Sequence, residues 1–204
     1  MISAAFSPDG RMIASAGWDS VKLWDARTGS ELRTLQRPEG SRLAFSPDGR
    51  LLAWAGSDKT VGLWDVASGR VVRTFPGHGN PVSAVAFSPD GRHIASAERR
   101  DLYAPPLWTR KLIIWDTSTG REVMTLRDVV REVFDSYHGL AFSPDGSRLA
   151  SATMDTVQLW DTSSLRSGTV QVGDASAWRK VLTIPVDGRG VQPRRSAHRL
   201  GQEG

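Results

Sequence analysis

The sequence predicts an all-β protein built from four copies of one small antiparallel sheet. Two observations carry this. The segment Phe-Ser-Pro-Asp-Gly occurs four times, starting at Phe6, Phe45, Phe87 and Phe142, with spacings of 39, 42 and 55 residues. Each copy is followed by a short apolar run and then by Leu-Trp-Asp or Ile-Trp-Asp, with the tryptophans at Trp24, Trp64, Trp115 and Trp160. Self-similarity at a period of about 40–45 residues marks a repeat architecture.

The first unit reads as four strands. Ile2 to Phe6 is small to apolar and suits a strand. Ser7-Pro8-Asp9-Gly10 then supplies turn chemistry: Pro presets φ, Asp bonds nearby backbone, and Gly takes a positive φ. Arg11 to Ala16 is the second strand, and a turn over Gly17 to Ser20 leads into the alternating Val21-Lys22-Leu23-Trp24-Asp25. A polar turn over Ala26 to Gly29 precedes the fourth strand, Glu31 to Leu35. The order recurs in Arg50–Ala55, Thr60–Asp65 and Arg70–Phe75, then in Arg92–Ala97, Lys111–Asp116 and Arg121–Leu126, then in Arg148–Ala152 and Thr156–Asp161. After an enlarged loop, Arg179 to Ile184 aligns with the fourth strand of the second unit. A rival alignment makes Thr183 to Gly188 a decayed fifth Phe-Ser-Pro-Asp-Gly turn. A lone four-stranded sheet cannot bury both faces, whereas sheets stacked face to face around an axis can.

The Phe-Ser-Pro-Asp-Gly turn, the Trp-Asp dipeptide at four fixed places and Gly77-His78 before the third unit resemble the WD40 repeat family. The resemblance covers about residues 1–165. It implies blades of a β-propeller, with the first strand of each nearest the central channel. It places the Ser-Pro-Asp-Gly and Trp-Asp turns on one face, and the second-to-third-strand turns with the loops leading into each blade on the other. It also implies a non-enzymatic scaffold for protein–protein interaction, without cofactor. The expected layout is four repeats at about 1–38, 39–78, 79–128 and 129–187, with a basic, disordered tail over 188–204.

The resemblance further implies a buried structural network of His, Ser or Thr, Trp and Asp in each blade. Here the third blade offers His78, Ser96 and Trp115, but an insertion from about Glu98 to Arg110 displaces its turn, and Asp101 is only a substitute. The first offers Ser15, Asp19 and Trp24; the second, Asp58 and Trp64; the fourth, Ser151, Asp155 and Trp160. The second carries Trp54 where the others have Ser, read as a filler between blades. No blade presents all four members in register.

Four blades fall short of the roughly seven that the resemblance points to. The count predicts an open arc with two apolar flanks, which is an association hazard. A piece of a longer propeller, pairing with another copy or chain to complete a ring, and closure as four blades remain open in that order.

No catalytic, metal or nucleotide-binding pattern is present. His78, His93, His138 and His198 lack metal-ligand spacing, and Asp9, Asp48, Asp90 and Asp145 recur as turn residues. Residues the blade plan does not require are the candidates for function. The insertion is the first, with Arg99, Arg100, Tyr103, Trp108 and Arg110, types enriched at binding hot spots, stiffened by Pro105-Pro106. The loop Asp128 to His138 is the second. By family geometry Trp18, Arg42, Asp58 and His138 join the insertion face.

The net charge of +4 invites a nucleic-acid partner. Residues 1–165 hold 19 basic and 19 acidic residues, so the excess lies in the last 39 and the blades are neutral; nucleic acid is disfavoured as a partner. The absence of Cys, of a signal peptide and of a long apolar run predicts a cytoplasmic protein without membrane contact. The expected partner is a protein or peptide, or another propeller fragment. The alternative is a fragment or appended sensor or substrate-positioning module of a larger enzyme, such as a kinase or protease.

Overall fold

The computed structural model describes residues 3–17, 20–36, 42–99, 109–129, 138–153, 156–163, 165 and 180–185. These form sixteen strands in four sheets. The first sheet is β1 (Ser3–Phe6), β2 (Met12–Ala16), β3 (Ser20–Asp25) and β4 (Glu31–Gln36). The second is β5 (Leu43–Phe45), β6 (Leu51–Ala55), β7 (Val61–Asp65) and β8 (Val71–Phe75). The third is β9 (Val82–Phe87), β10 (His93–Glu98), β11 (Thr109–Asp116) and β12 (Glu122–Val129). The fourth is β13 (Gly139–Phe142), β14 (Arg148–Ala152), β15 (Thr156–Asp161) and β16 (Lys180–Pro185).

Every sheet is an antiparallel meander in sequence order. The repeat reaches down to register. The pairing of third and fourth strands shifts at the same step in each sheet, at Leu23/Trp24, Leu63/Trp64, Ile114/Trp115 and Leu159/Trp160. Such bulges add twist and re-aim the side chain that follows. β16 decides between the two alignments of the last segment: Thr183 pairs with Gln158 and Pro185 with Thr156, so these residues complete the fourth sheet and do not start a fifth.

Strand alternation sends successive side chains to opposite faces. In β6, Leu52 and Trp54 enter a cluster with Ala14, Ala16, Val21 and Leu23 of the first sheet, while Ala53 and Ala55 enter another with Val85, Ile94 and Trp115 of the third. In β10, Ala95 and Ala97 turn to Leu149 and Trp160 of the fourth. The core is therefore three layers, each between consecutive sheets. The first strands of successive sheets, β1, β5, β9 and β13, neighbour one another, which sets them innermost. Among the described residues the principal contacts between sheets join consecutive ones, so the four blades follow one another along an arc. Trp54 is a space filler between blades, as expected. Its ring centroid lies 4.1 Å from that of Trp64, and a Cβ on Gly62 would come within 2.0 Å of the Trp54 ring. The large side chain in β6 thus requires its cross-strand partner, Gly62, to have none.

Two arginines clasp neighbouring blades. Arg33 in β4 donates to the carbonyls of Ala67 and Ser68 at 2.9 and 3.2 Å, and Arg73 in β8 repeats this on Ser118 and Thr119 at 2.6 and 2.9 Å. The matching residue in β12 is Met124. It is buried in the third core layer with Leu165, so an apolar contact replaces the clasp there.

Candidate interaction face and the buried His78–Glu98 network

One end of the arc is made of rigid turns. In each Ser-Pro-Asp-Gly segment the Ser hydroxyl donates to the Asp carboxylate at 2.6 Å and accepts from a backbone N–H five residues on at 2.9 Å. The carboxylate also accepts the next residue-plus-two N–H at 3.0 to 3.1 Å. The Gly of each turn has φ near +70°, a conformation Gly adopts without a Cβ penalty. The hydroxyl and backbone N–H hold the carboxyls of Asp9 and Asp48 below the usual range, and that of Asp145 well below it. The Trp-Asp carboxylates are used in the same way: Asp25 accepts from Thr28 N and Oγ1 at 2.7 and 2.9 Å, Asp65 from Ser68 N and Oγ at 2.7 Å each, and Asp116 from Thr119 N at 2.7 Å. These acids are occupied by turn geometry. Grooves do open at this end, one lined by Asp90, Arg92, His93, Phe142, Asp145 and Leu165, and another by Met12, Arg33, Asp48 and Asp65.

The interior network departs from the sequence expectation at one residue. Glu98, read as the start of the insertion, ends β10 and is fully buried. Its Oε1 accepts from His78 Nδ1 at 3.1 Å and Gly79 N at 2.8 Å; its Oε2 accepts from Asn80 Nδ2 at 3.1 Å and Lys111 N at 3.0 Å. His78 Nε2 lies 2.7 Å from Ser96 Oγ, which accepts from Trp115 Nε1 at 2.8 Å. With the ring proton on Nδ1 the bonds form one chain: Trp115 donates to Ser96, Ser96 to His78, and His78 to Glu98. Burial alone would raise the Glu98 pKa, but the donors from His78, Asn80, Lys111 and Gly79 more than offset it and hold it down to about 2. The third blade thus has a four-member network after all, with Glu98 supplying the carboxylate in place of any aspartate. Asp101 lies outside the described residues.

The other blades keep parts of it. Trp24 Nε1 donates to Ser15 at 2.8 Å, and Trp160 Nε1 to Ser151 at 2.9 Å. In the second blade Trp64 stacks on Trp54, whose own Nε1 has no hydrogen-bond partner among the described residues. Asp58 does not enter a network. It is exposed and accepts from Thr60 N and Oγ1 at 3.1 and 2.7 Å, closing the turn between β6 and β7. Asp19 and Asp155 lie outside the described residues.

The opposite end of the arc carries the candidate interaction residues. Arg42 precedes β5 and its carbonyl accepts Ala55 N, at the end of β6; Asp58 sits in the next turn. Arg99 follows β10, with its N–H on the Pro81 carbonyl just before β9. His138 precedes β13, with its N–H on the Ala152 carbonyl at the end of β14. All four are exposed and lie at the end away from the Ser-Pro-Asp-Gly turns. Arg110 belongs to β11, opposite Asp128, so the insertion proper is 100–108 with Arg99 at its root. Trp18, Arg100, Tyr103 and Trp108 lie outside the described residues. Sequence reading missed Asn80 and Lys111 as network members, along with Glu98. A signal for Asn80 existed in its place two residues after His78, but Lys111 acts only through its backbone.

Among the described residues no cluster of three or more His, Asp or Glu side chains is arranged to hold a metal ion. No helix is long and apolar enough there to cross a membrane.

Comparison with known proteins agrees with this architecture. The family profile described as "WD domain, G-beta repeat" matches residues 2–25, 29–65, 69–116 and 134–161. Nuclear distribution protein PAC1 of Arthroderma otae is 37% identical over 176 residues, covering 79% of this chain and 35% of its own length. Autophagy-related protein 16 of Arabidopsis thaliana is 29% identical over 181 residues, covering 86% and 33%. Small ribosomal subunit protein RACK1y of Oryza sativa subsp. japonica is 30% identical over 107 residues, covering 52% and 28%. The chain therefore spans about a third of the length of these relatives. Among solved structures, a chain of Kuenenia stuttgartiensis hydrazine synthase superposes with a TM-score of 0.69 at 20% identity, covering 91% of this chain and 49% of that one, a likeness of fold. With four matched repeats, each ending on the Trp-Asp strand of one of the four observed sheets, the chain belongs to the WD40 repeat family.

Proposed function

We propose that this chain is a non-enzymatic scaffold that binds a protein or peptide at the end of the arc opposite the Ser-Pro-Asp-Gly turns. The observation that carries the reading is the convergence there of exposed Arg42, Asp58, Arg99 and His138 from three blades, of which only Asp58 has a structural use, in the β6–β7 turn. A rigid arc presenting charged side chains from separate loops suits recognition of an extended partner, because the scaffold has little left to order on binding. The 100–108 insertion leaves β10 and returns to β11 at this same end, and its Arg100, Tyr103 and Trp108 act as anchors in this reading. Among the described residues the buried histidine, His78, spends both ring nitrogens on Glu98 and Ser96.

The test is replacement of Arg100 and Trp108 by Ala in the full chain. The double variant keeps the circular dichroism spectrum and melting transition of the parent and loses capture of the parent's partner. A partner captured equally by both would remove the insertion from the site.

A further inference from the structure

Arg42, Lys59 and Arg99, all exposed, meet at the insertion end across the seam between the second and third blades. Backbone hydrogen bonds bring their segments together. The Arg42 carbonyl accepts Ala55 N at 3.1 Å. Gly56, the next residue, offers its carbonyl to both Lys59 N at 3.3 Å and Val82 N at 3.0 Å, which ties the second blade's turn to the first strand of the third blade. The Pro81 carbonyl, one residue back, accepts Arg99 N at 2.8 Å.

Lys59 is a departure from the repeat. The turn between second and third strands closes from Gly17 N to Ser20 O in the first blade and from Thr153 N to Thr156 O in the fourth, but from Gly56 N to Thr60 O in the second. The second blade's turn is therefore one residue longer. Lys59 stands just before the closing Thr60, and among the described residues it is the one non-glycine with a positive φ, +69°. That region disfavours a residue with a Cβ, and such outliers cluster where function holds them in place. A Lys that the blade plan does not require is thus held at the seam beside Arg42 and Arg99.

The carboxylates on the same segments serve the fold. Asp58 folds back over Gly56, where a Cβ would collide with its Oδ1, and accepts from Thr60 N and Oγ1 at 3.1 and 2.7 Å. Glu98 is fully buried on His78, Gly79, Asn80 and the Lys111 backbone. Against the exposed cations Arg42, Lys59 and Arg99, these segments turn only Asp58 to solvent as an acid.

We propose that this seam recognises an acidic peptide, with Arg42, Lys59 and Arg99 donating to its carboxylates; this rests on the docking of a protein or peptide at this end and names the chemistry of that partner. An extended peptide crossing from one blade to the next spans the cations, and Arg42 and Arg99 can each hold a carboxylate with two parallel N–H donors. A nucleic acid fits less well, because its affinity draws on many phosphate contacts and residues 1–165 carry no net charge.

Fluorescence anisotropy on the full chain tests this with a labelled peptide of alternating Glu and Ser, beside versions with Gln or Lys in place of Glu. The Glu peptide binds, more weakly as salt is added, and the other two do not. Arg42→Glu and Arg99→Glu each weaken it about tenfold or more with the circular dichroism spectrum unchanged. Lys59→Asn weakens it about threefold without lowering the melting temperature, because Asn enters the positive-φ region more readily than Lys. Equal binding of the Glu and Gln peptides overturns the inference, as does an affinity that both charge reversals leave unchanged. Single-stranded DNA bound more tightly than the Glu peptide, and released by the same reversals, overturns it too by giving the patch to nucleic acid. Arg100→Ala with Trp108→Ala reports on capture of the partner by the insertion, and the Glu peptide reports on the cations, so the two readings fail separately.

Discussion

Replacing Glu98 by Gln removes one charge from the third blade while keeping the side chain's shape. Set with its oxygen toward His78 and Gly79, the amide keeps two acceptor contacts. Its nitrogen then faces Asn80 Nδ2 at 3.1 Å and Lys111 N at 3.0 Å, donor against donor. Asn80 can turn its amide round, but the Lys111 N–H is fixed in the β11 backbone. One buried donor without a partner costs about 1–3 kcal/mol, and the surviving contacts lose their charge assistance, for a total of about 3 kcal/mol. The lowered pKa reflects the same donors. Glu98 is held from 4.5 down to about 2, which at roughly 1.4 kcal/mol per pH unit is again about 3 kcal/mol. Urea unfolding followed by tryptophan fluorescence reads this directly: with a slope of about 2 kcal/mol per molar, the midpoint falls by roughly 1–2 M. A change in stability under roughly 0.5 kcal/mol, the scale of an ordinary surface substitution, would refute the role given to Glu98.

The same carboxylate predicts a pH dependence. A group whose pKa is depressed on folding stabilises above its unfolded pKa and loses that contribution as pH falls through the folded value, so the parent weakens between about pH 4.5 and 2. Glu98→Gln flattens that limb in a pH series of unfolding midpoints; parallel curves would contradict it. Gly62→Ala forces a Cβ to within 2.0 Å of the Trp54 ring and is expected to cost about 1–3 kcal/mol, most of it recovered in the Trp54→Ser background. A cost unchanged in that background would separate the two residues. Met124→Arg places a cation in the third core layer beside Leu165 and destabilises by more than about 2 kcal/mol, whereas Arg33→Ala, at an exposed clasp, costs about 1 kcal/mol. Equal effects in thermal melts would remove the distinction between the two kinds of interface.

Much of the fold was legible because each repeat carries its own local chemistry. The Ser-Pro-Asp-Gly turns announce themselves through residues two to five apart, and the strands around them follow, except the last, whose two alignments are separated only by the pairing of β16 with β15. Features that couple distant positions were not legible. Glu98 looked like the first residue of an insertion because nothing adjacent shows that His78, Asn80 and the Lys111 backbone converge on it. Gly62 carries no signal of its own; only its place opposite Trp54 across the strand pair requires it to lack a side chain. Met124 reads as one more apolar residue of a strand; only alongside Arg33 and Arg73 does it appear as an exchanged clasp, matched by Leu165 some forty residues on. The candidate face was placed by family geometry through Arg42, Asp58 and His138, which the structure sets at one end, while the roles of Trp18, Arg100, Tyr103 and Trp108 stay proposals.

The central claim is that interaction takes place at the end of the arc carrying the insertion. Photo-crosslinking from single sites at the two ends tests it most directly. A photoreactive residue placed at Asp58 or Arg99 is predicted to yield a crosslinked adduct with the partner, and one at Pro47 or Pro89, in the Ser-Pro-Asp-Gly turns, to yield none. Adducts from Pro47 or Pro89 with none from Asp58 or Arg99 would move the binding surface to the grooves at the opposite end and contradict the account.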